Sequence, residues 1–300
     1  MNQALEFRGA YTAIVTPFTA DGRGLDLARL REQAAFQARG GVRGIVVSGT
    51  TGESPTLEEH EYHELLACAV EVGRGAGLQV IAGTGSNSTA HASALQRAAR
   101  SMGADAGLSV NPYYNKPTQE GLYRHFMAVA DAADLPVMLY NIPGRTGVAL
   151  TPETVERLAG HPNIRGVKEA TGSTDSATEI ASRCPGLALL SGDDSMTLPF
   201  ASVGAVGVVS VVSNVAPGRV SELCGAFLGG DWARARAVHR ALFPLCRAMF
   251  AETNPIPVKA AMRLLGRDSG VLRLPMTAAR PETEAQLERA LRGLGLWPAG

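Results

Sequence analysis

The chain has 300 residues, a length that suits one large domain or two smaller ones. Its 45% hydrophobic share supplies a sizeable core, and its 19% charged share is too low for a disordered chain. Lys+Arg and Asp+Glu are both 28, and that zero net charge excludes a dominant nucleic-acid surface, which needs a basic excess. Inside the balance, only Lys116, Lys168 and Lys259 are lysines, and the other 25 of the 28 cations are arginines. A coding bias toward Arg accounts for the ratio. It leaves open where the chain uses Lys when Arg is its default.

The N-terminal stretch carries Glu6 and Arg8 and has no apolar core, so no secretory signal is expected. No run of about 18 apolar residues occurs, so no membrane span is expected either. Cys68, Cys184, Cys224 and Cys246 are far apart and form no CxxC pair, which reads as reduced, buried thiols of a cytoplasmic protein. The sequon Asn87-Ser88-Thr89 has no meaning without a secretory route.

Short apolar runs alternate with longer amphipathic segments. The predicted strands are Tyr11–Thr16, Val42–Ser48, Leu78–Gly83, Gly107–Asn111, Pro136–Asn141, Ile164–Glu169, Ala188–Gly192 and Val206–Val211. Helical patterns fall between them. Leu25–Ala38 puts Leu27, Leu30, Ala34 and Ala38 on one face, Glu58–Val72 does the same with Leu65, Leu66, Ala69 and Val70, and a third pattern is Gln119–Ala132. Strands that are nearly continuous apolar runs fit a parallel sheet covered by helices. Eight such units ending near residue 230 predict a (β/α)8 TIM barrel over 1–230. The helical segments Asp231–Phe250, Pro255–Leu265 and Pro281–Leu291 then predict a C-terminal helical domain over 231–300. A doubly wound open sheet is the alternative, but the first βα turn lacks GxGxxG, and GTGSNS at Gly83–Ser88 follows the third strand.

In such a barrel, chemistry gathers at the C-terminal ends of the strands. The second strand runs into Gly49-Thr50-Thr51-Gly52-Glu53-Ser54, whose backbone N–H groups and hydroxyls suit an anion. It reads equally as a Gly-rich turn with Glu53 or Ser54 as a helix cap, and the missing Gly-Lys-Ser/Thr ending excludes a P-loop. The fourth strand ends in Asn111-Pro112-Tyr113-Tyr114-Asn115-Lys116-Pro117, where paired tyrosines suit either a site or a subunit contact. The fifth ends in Tyr140, a candidate proton relay or a satisfied buried phenol. Arg145 follows it, either as a partner for a carboxylate or as a solvated cation.

Lys168 near the end of the sixth strand is the most informative residue. If Val167 points outward to the helices, Lys168 points inward. Arg would serve a salt bridge, but it cannot lose its proton and attack a carbonyl, whereas a desolvated Lys can. An ion pair with Glu169 is the structural alternative. Gly192 at the seventh strand end offers a backbone carbonyl, and Asp193 and Asp194 read as helix caps rather than metal ligands. His60 and His63 beside Glu59 and Glu64 lack the HExxH pattern and read as a solvated helix face, so no metal site is expected.

Six segments in this order resemble the dihydrodipicolinate synthase family: Gly49–Ser54, Asn111–Asn115, Tyr140–Gly147, Gly166–Gly172, Leu190–Asp194 and Asn254–Lys259. The resemblance spans Gly9 to about Met276. It implies that Lys168 forms a Schiff base with pyruvate and that the resulting enamine adds to L-aspartate-4-semialdehyde. It implies Tyr140 as proton donor and acceptor, with Thr50 and Tyr114 completing a relay and Tyr114 reaching in from the neighbouring subunit. Thr51 would hold pyruvate's carboxylate and Arg145 that of the semialdehyde, while Gly192 and Val209 line the site through their backbones. No cofactor or metal is implied, and the implied assembly is a homotetramer built from tight dimers. Ser54, Pro55, Asn87, His91 and Tyr113 fall at positions that line a lysine-binding site in the family. His91 replaces the glutamate that grips lysine's amine and Glu59 replaces a usual histidine, so weak or absent lysine feedback is expected. Related alternatives are a pyruvate aldolase or lyase acting on a sugar acid or N-acetylneuraminate, and a silent paralogue that only binds pyruvate or lysine.

Overall fold

The computed structural model describes residues 5–297; the first four residues of the N-terminal stretch and the last three of the chain lie outside them. Eight parallel strands close a barrel in sequence order. They are β1 (Gly9–Ala13), β2 (Gly44–Val47), β3 (Gln79–Gly83), β4 (Ala106–Val110), β5 (Val137–Asn141), β6 (Ile164–Glu169), β7 (Ala188–Ser191) and β8 (Gly207–Ser210). The helices of the βα repeat are α1 (Leu27–Arg39), α2 (Glu59–Ala76), α3 (Thr89–Met102), α4 (Gln119–Asp131), a single turn α5 (Pro143–Thr146), α6 (Pro152–Ala159), α7 (Thr174–Arg183), α8 (Thr197–Ala201) and α9 (Pro217–Leu228). Then come α10 (Trp232–Ala248), α11 (Ile256–Leu264) and α12 (Pro281–Gly293). The predicted barrel and helical tail are thus present, with β6 at its predicted bounds and the other strands within two or three residues of theirs.

By internal packing the chain divides into two compact units. The first comprises the residues up to Gly9 together with Val80–Val209. Its core joins Val137, Leu139, Val167 and Leu189 of the strands to Phe126, Val155, Leu158 and Ile180 of α4, α6 and α7. Because strand side chains alternate, this apolar set turns Met138, Tyr140, Gly166, Lys168 and Leu190 to the opposite, inner face. β5 and β6 share a register in which Tyr140 lies beside Lys168 and Asn141 beside Glu169. The Gly9 N–H donates to the Val206 carbonyl at 2.8 Å. There Gly207 comes so near that a Cβ would sit 2.1 Å from the Gly9 carbonyl oxygen.

The second unit comprises Ala10–Gln79 and the residues from Ser210 onward. In α2, Leu65, Leu66, Ala69 and Val70 are buried as the periodicity predicts. In α1 the buried face is Leu30, Gln33, Ala34 and Gln37, not the expected Leu27 and Ala38. Glutamine is admitted because its amide finds partners. Gln37 accepts from the Thr12 hydroxyl at 2.6 Å and donates to the Ser213 carbonyl at 3.0 Å, and Gln33 donates to Asp268. The apolar run after β1 leaves the ladder early for a similar reason: the Val15 N–H donates to the Asn214 side chain.

All four cysteines are buried and free. No helix among the described residues is long and apolar enough to cross a membrane. The Gly207→Ala variant should lose about 1–3 kcal/mol of stability, because the obstacle to its methyl is backbone that cannot rotate aside. Urea denaturation measures the loss; an unchanged midpoint would mean that this seam is looser than its geometry implies.

Candidate active site

In the first unit, Lys168 is 5% exposed and its Nζ lies 4.0 Å from the centre of the Tyr140 ring. Register explains the pairing, since neighbouring strands put facing side chains on the same face. Burial drives the Lys168 pKa down to about 7, partly offset by the charge of Asp194 and assisted by that of Arg145. An amine of that pKa is substantially neutral near pH 7 and therefore nucleophilic. The fold pays a cost in stability for it, at lower pH especially. With a folded pKa below the unfolded value, the unfolded chain binds more protons between the two, so this group's contribution to stability rises with pH from about 7 upward until the unfolded-state value is passed.

Glu169 does not serve as the counter-charge. Its carboxylate accepts from the Asn141 amide at 2.9 Å, the Thr171 N–H at 2.7 Å and the Ser176 hydroxyl at 3.5 Å, and burial raises its pKa. Asn141 also accepts from the Asn111 amide and the Leu150 N–H, and donates to the Leu150 carbonyl. This buried network behind Tyr140 and Lys168 ties the ends of β4, β5 and β6 together. It also anchors the segment from Ile142 to Leu150, which carries the exposed Arg145. Gly192 stands against the lysine itself: a Cβ there would meet Lys168 Cγ at 3.1 Å and Ala170 Cβ at 2.7 Å. Val209 is buried in β8.

Asp193 caps the 3-10 turn Asp194–Met196, accepting from the Ser195 N–H at 2.8 Å, as expected. Asp194 is instead buried, and its charge acts on the Lys168 amine. The sequence reading missed that role because adjacent aspartates after a strand look like caps.

The tyrosine loop is exposed. Tyr114 is 90% exposed with φ +73°, and Tyr113 is 40% exposed. A left-handed non-glycine residue is strained, and such strain collects at functional positions. Asn115 ties the loop to Asn87 by donating to its carbonyl at 2.9 Å. His91 is exposed in the first turn of α3, its N–H donating to the Ser88 hydroxyl.

In the second unit, Thr50 is half-buried and Thr51 buried in the turn after β2. Ser54 is half-buried and Pro55 exposed in the 3-10 turn Ser54–Thr56 that follows. Glu53 is not a side-chain cap. It is buried with φ +54° and pairs with the fully buried Lys259 at 2.6 Å. Burial lowers the Lys259 pKa while Glu53 raises it. Two of the three lysines are therefore buried, and what separates them is the carboxylate directly on Lys259. His60 and His63 are exposed on α2.

Comparison with known proteins adds identity to this geometry. The model of the dihydrodipicolinate synthetase family matches residues 6–294. The 4-hydroxy-tetrahydrodipicolinate synthase of Leptospira biflexa is 50% identical over 281 residues, covering 93% of this chain and 95% of the relative. That of Oleidesulfovibrio alaskensis is 47% identical over 294 residues, covering 97% and 100%. Among solved structures, the lysine-bound enzyme of Cyanidioschyzon merolae superposes with a TM-score of 0.94 at 44% identity, covering 97% of this chain and 99% of that one. A monomeric dihydrodipicolinate synthase variant matches with a TM-score of 0.94 at 43% identity, covering 97% of each chain.

The electrostatics of Lys168 can be tested in both directions. Labelling by an amine-directed reagent should be half-maximal near pH 7. Asp194→Asn should move that midpoint to lower pH, because it removes the charge that favours the ammonium. Arg145→Gln should move it up. Shifts of the opposite sign would show that other charges govern the amine.

Proposed function

Because the chain belongs to the dihydrodipicolinate synthetase family, we propose that it is a Schiff-base lyase that makes 4-hydroxy-tetrahydrodipicolinate from pyruvate and L-aspartate-4-semialdehyde. This is a step of diaminopimelate and lysine biosynthesis. The observation that carries the reading is the buried Lys168 amine with a pKa of about 7, beside the Tyr140 ring.

The neutral amine attacks the C2 carbonyl of pyruvate and expels water, giving a protonated imine. That imine withdraws electrons from the methyl group, which releases a proton to leave an enamine. The enamine carbon adds to the aldehyde carbon of the semialdehyde, and the aldehyde oxygen takes up a proton. The substrate's own amine then attacks the imine carbon, closes the ring and displaces Lys168. Each step moves a proton, and Tyr140, relayed through Thr50 and Tyr114, is the group proposed to carry it. Thr51 is proposed to hold pyruvate's carboxylate and Arg145 that of the semialdehyde, with Gly192 and Val209 presenting backbone atoms. Gly192 also leaves room for the Lys168 stem, which any Cβ would crowd.

A cytoplasmic homotetramer of tight dimers is the proposed assembly, with Tyr114 completing the site of a neighbouring subunit. The 90% exposure of that phenol and its strained backbone support the reading. Feedback by L-lysine at Ser54, Pro55, Asn87, His91 and Tyr113 is proposed to be weak. An exposed His91 offers an imidazole where a carboxylate would grip an ammonium.

Borohydride reduction with pyruvate, followed by peptide mapping, should place a pyruvate-derived adduct on Lys168. No adduct there would overturn the mechanism. Tyr140→Phe should retain the adduct while turnover with semialdehyde falls about 100-fold or more. L-Lysine below millimolar concentration should leave the rate nearly unchanged.

A further inference from the structure

The turn after β2 is held from the C-terminal part of the second unit by side chains that the proposed reaction does not use. Asn254, itself buried, donates from Nδ2 to the Thr51 hydroxyl at 3.0 Å. Two residues on, Glu53 pairs with Lys259 and accepts from the Arg273 N–H at 3.1 Å. Lys259 also donates to the Val271 carbonyl at 2.6 Å. Arg273 reaches the Thr56 carbonyl at 2.8 Å and forms a two-toothed pair with Glu61 at 2.5 and 2.6 Å. On the other side, the Gly52 carbonyl accepts from the Thr16 hydroxyl at 2.6 Å. The Thr51 and Glu53 side chains and the Gly52 and Thr56 carbonyls are thereby fixed.

The polarity of the Asn254 contact is its chemical content. A threonine hydroxyl has one proton to give and two lone pairs to receive with. Since Asn254 donates, Thr51 accepts, and the hydroxyl proton remains to be donated elsewhere. A carboxylate is an acceptor only, so it needs that proton.

We propose that Asn254 is a positioning residue for the keto-acid carboxylate: its donated hydrogen bond sets the Thr51 hydroxyl as a donor, on a turn locked by the Glu53–Lys259 pair. The inference rests on the proposed role of Thr51 in binding pyruvate.

The test compares the full-length protein with Asn254→Asp, Asn254→Ser and Thr51→Val, and with the Asn254→Asp/Thr51→Val double variant. The readouts are KM for pyruvate, kcat, and the pyruvate concentration that half-saturates borohydride trapping on Lys168. An aspartate carboxylate at position 254 can only accept, so it would capture the Thr51 proton and add a negative charge. Asn254→Asp should raise KM for pyruvate and half-saturation together about ten-fold or more, with kcat and the KM for semialdehyde changed less than about two-fold. On the Thr51→Val background the same substitution should cost less, since only the added charge acts there and no hydroxyl is left to misdirect. If Asn254→Asp does not fold, Asn254→Ser carries the comparison: its shorter side chain withdraws the donor from Thr51, so KM for pyruvate and half-saturation should rise together several-fold, and wild-type values would overturn the positioning role.

Equal pyruvate half-saturation in wild type and Asn254→Asp, an undiminished cost on the Thr51→Val background, or a fall in kcat at constant KM would each overturn the positioning role. If wild type itself traps no pyruvate on Lys168, the proposed function fails and takes this inference with it; if wild type traps normally, only the inference is at stake.

Discussion

The structure depends most on one costly placement, an amine held out of water at the end of β6. Burial pushes the Lys168 proton off, Asp194 draws it back, and Arg145 opposes Asp194. The outcome near 7 is a balance between desolvation and two charges of opposite sign, so it depends on their placement rather than on Lys168 alone. Arginine could not occupy this role, because its proton does not leave under these conditions.

Keeping such a group in place requires surroundings that do not yield. Behind β5 and β6, Asn111, Asn141 and Glu169 form a buried network whose carboxylate takes neutral donors. Glu169 is thus withheld from Lys168, which an adjacent acid would otherwise turn into an ordinary ion pair. Lys259 shows that alternative realised. It is as deeply buried as Lys168, but Glu53 lies directly on it, and the pair serves to clamp a turn. One residue type thus has two fates, divided by a carboxylate at 2.6 Å.

The exposed parts follow another logic. Tyr114 combines a left-handed backbone with almost complete exposure, although its loop is tethered through Asn115 to Asn87. An aromatic ring held that way gains nothing from its own subunit's core. This gives physical support to the proposal that it acts on a second copy of the chain.

The sequence by itself determined the eight-strand repeat, because alternation of short apolar runs and amphipathic helices is a local property of the chain. It also singled out Lys168, because one lysine closing an apolar strand in an arginine-rich chain has few structural uses. The motifs carried the family, which the match over residues 6–294 bears out. What the sequence did not carry was the pairing of polar residues far apart in the chain. The apolar periodicity of α1 held no place in the core for Gln33 and Gln37, which are admitted there by Asp268, Thr12 and Ser213. Glu53 looked like a cap until Lys259 reached it across more than 200 residues, and Asp194 looked like one until burial set its charge to work on Lys168. Apolar periodicity is written locally because water acts on every residue alike. The partner of a buried polar group is chosen only when folding removes the water that would otherwise have satisfied it.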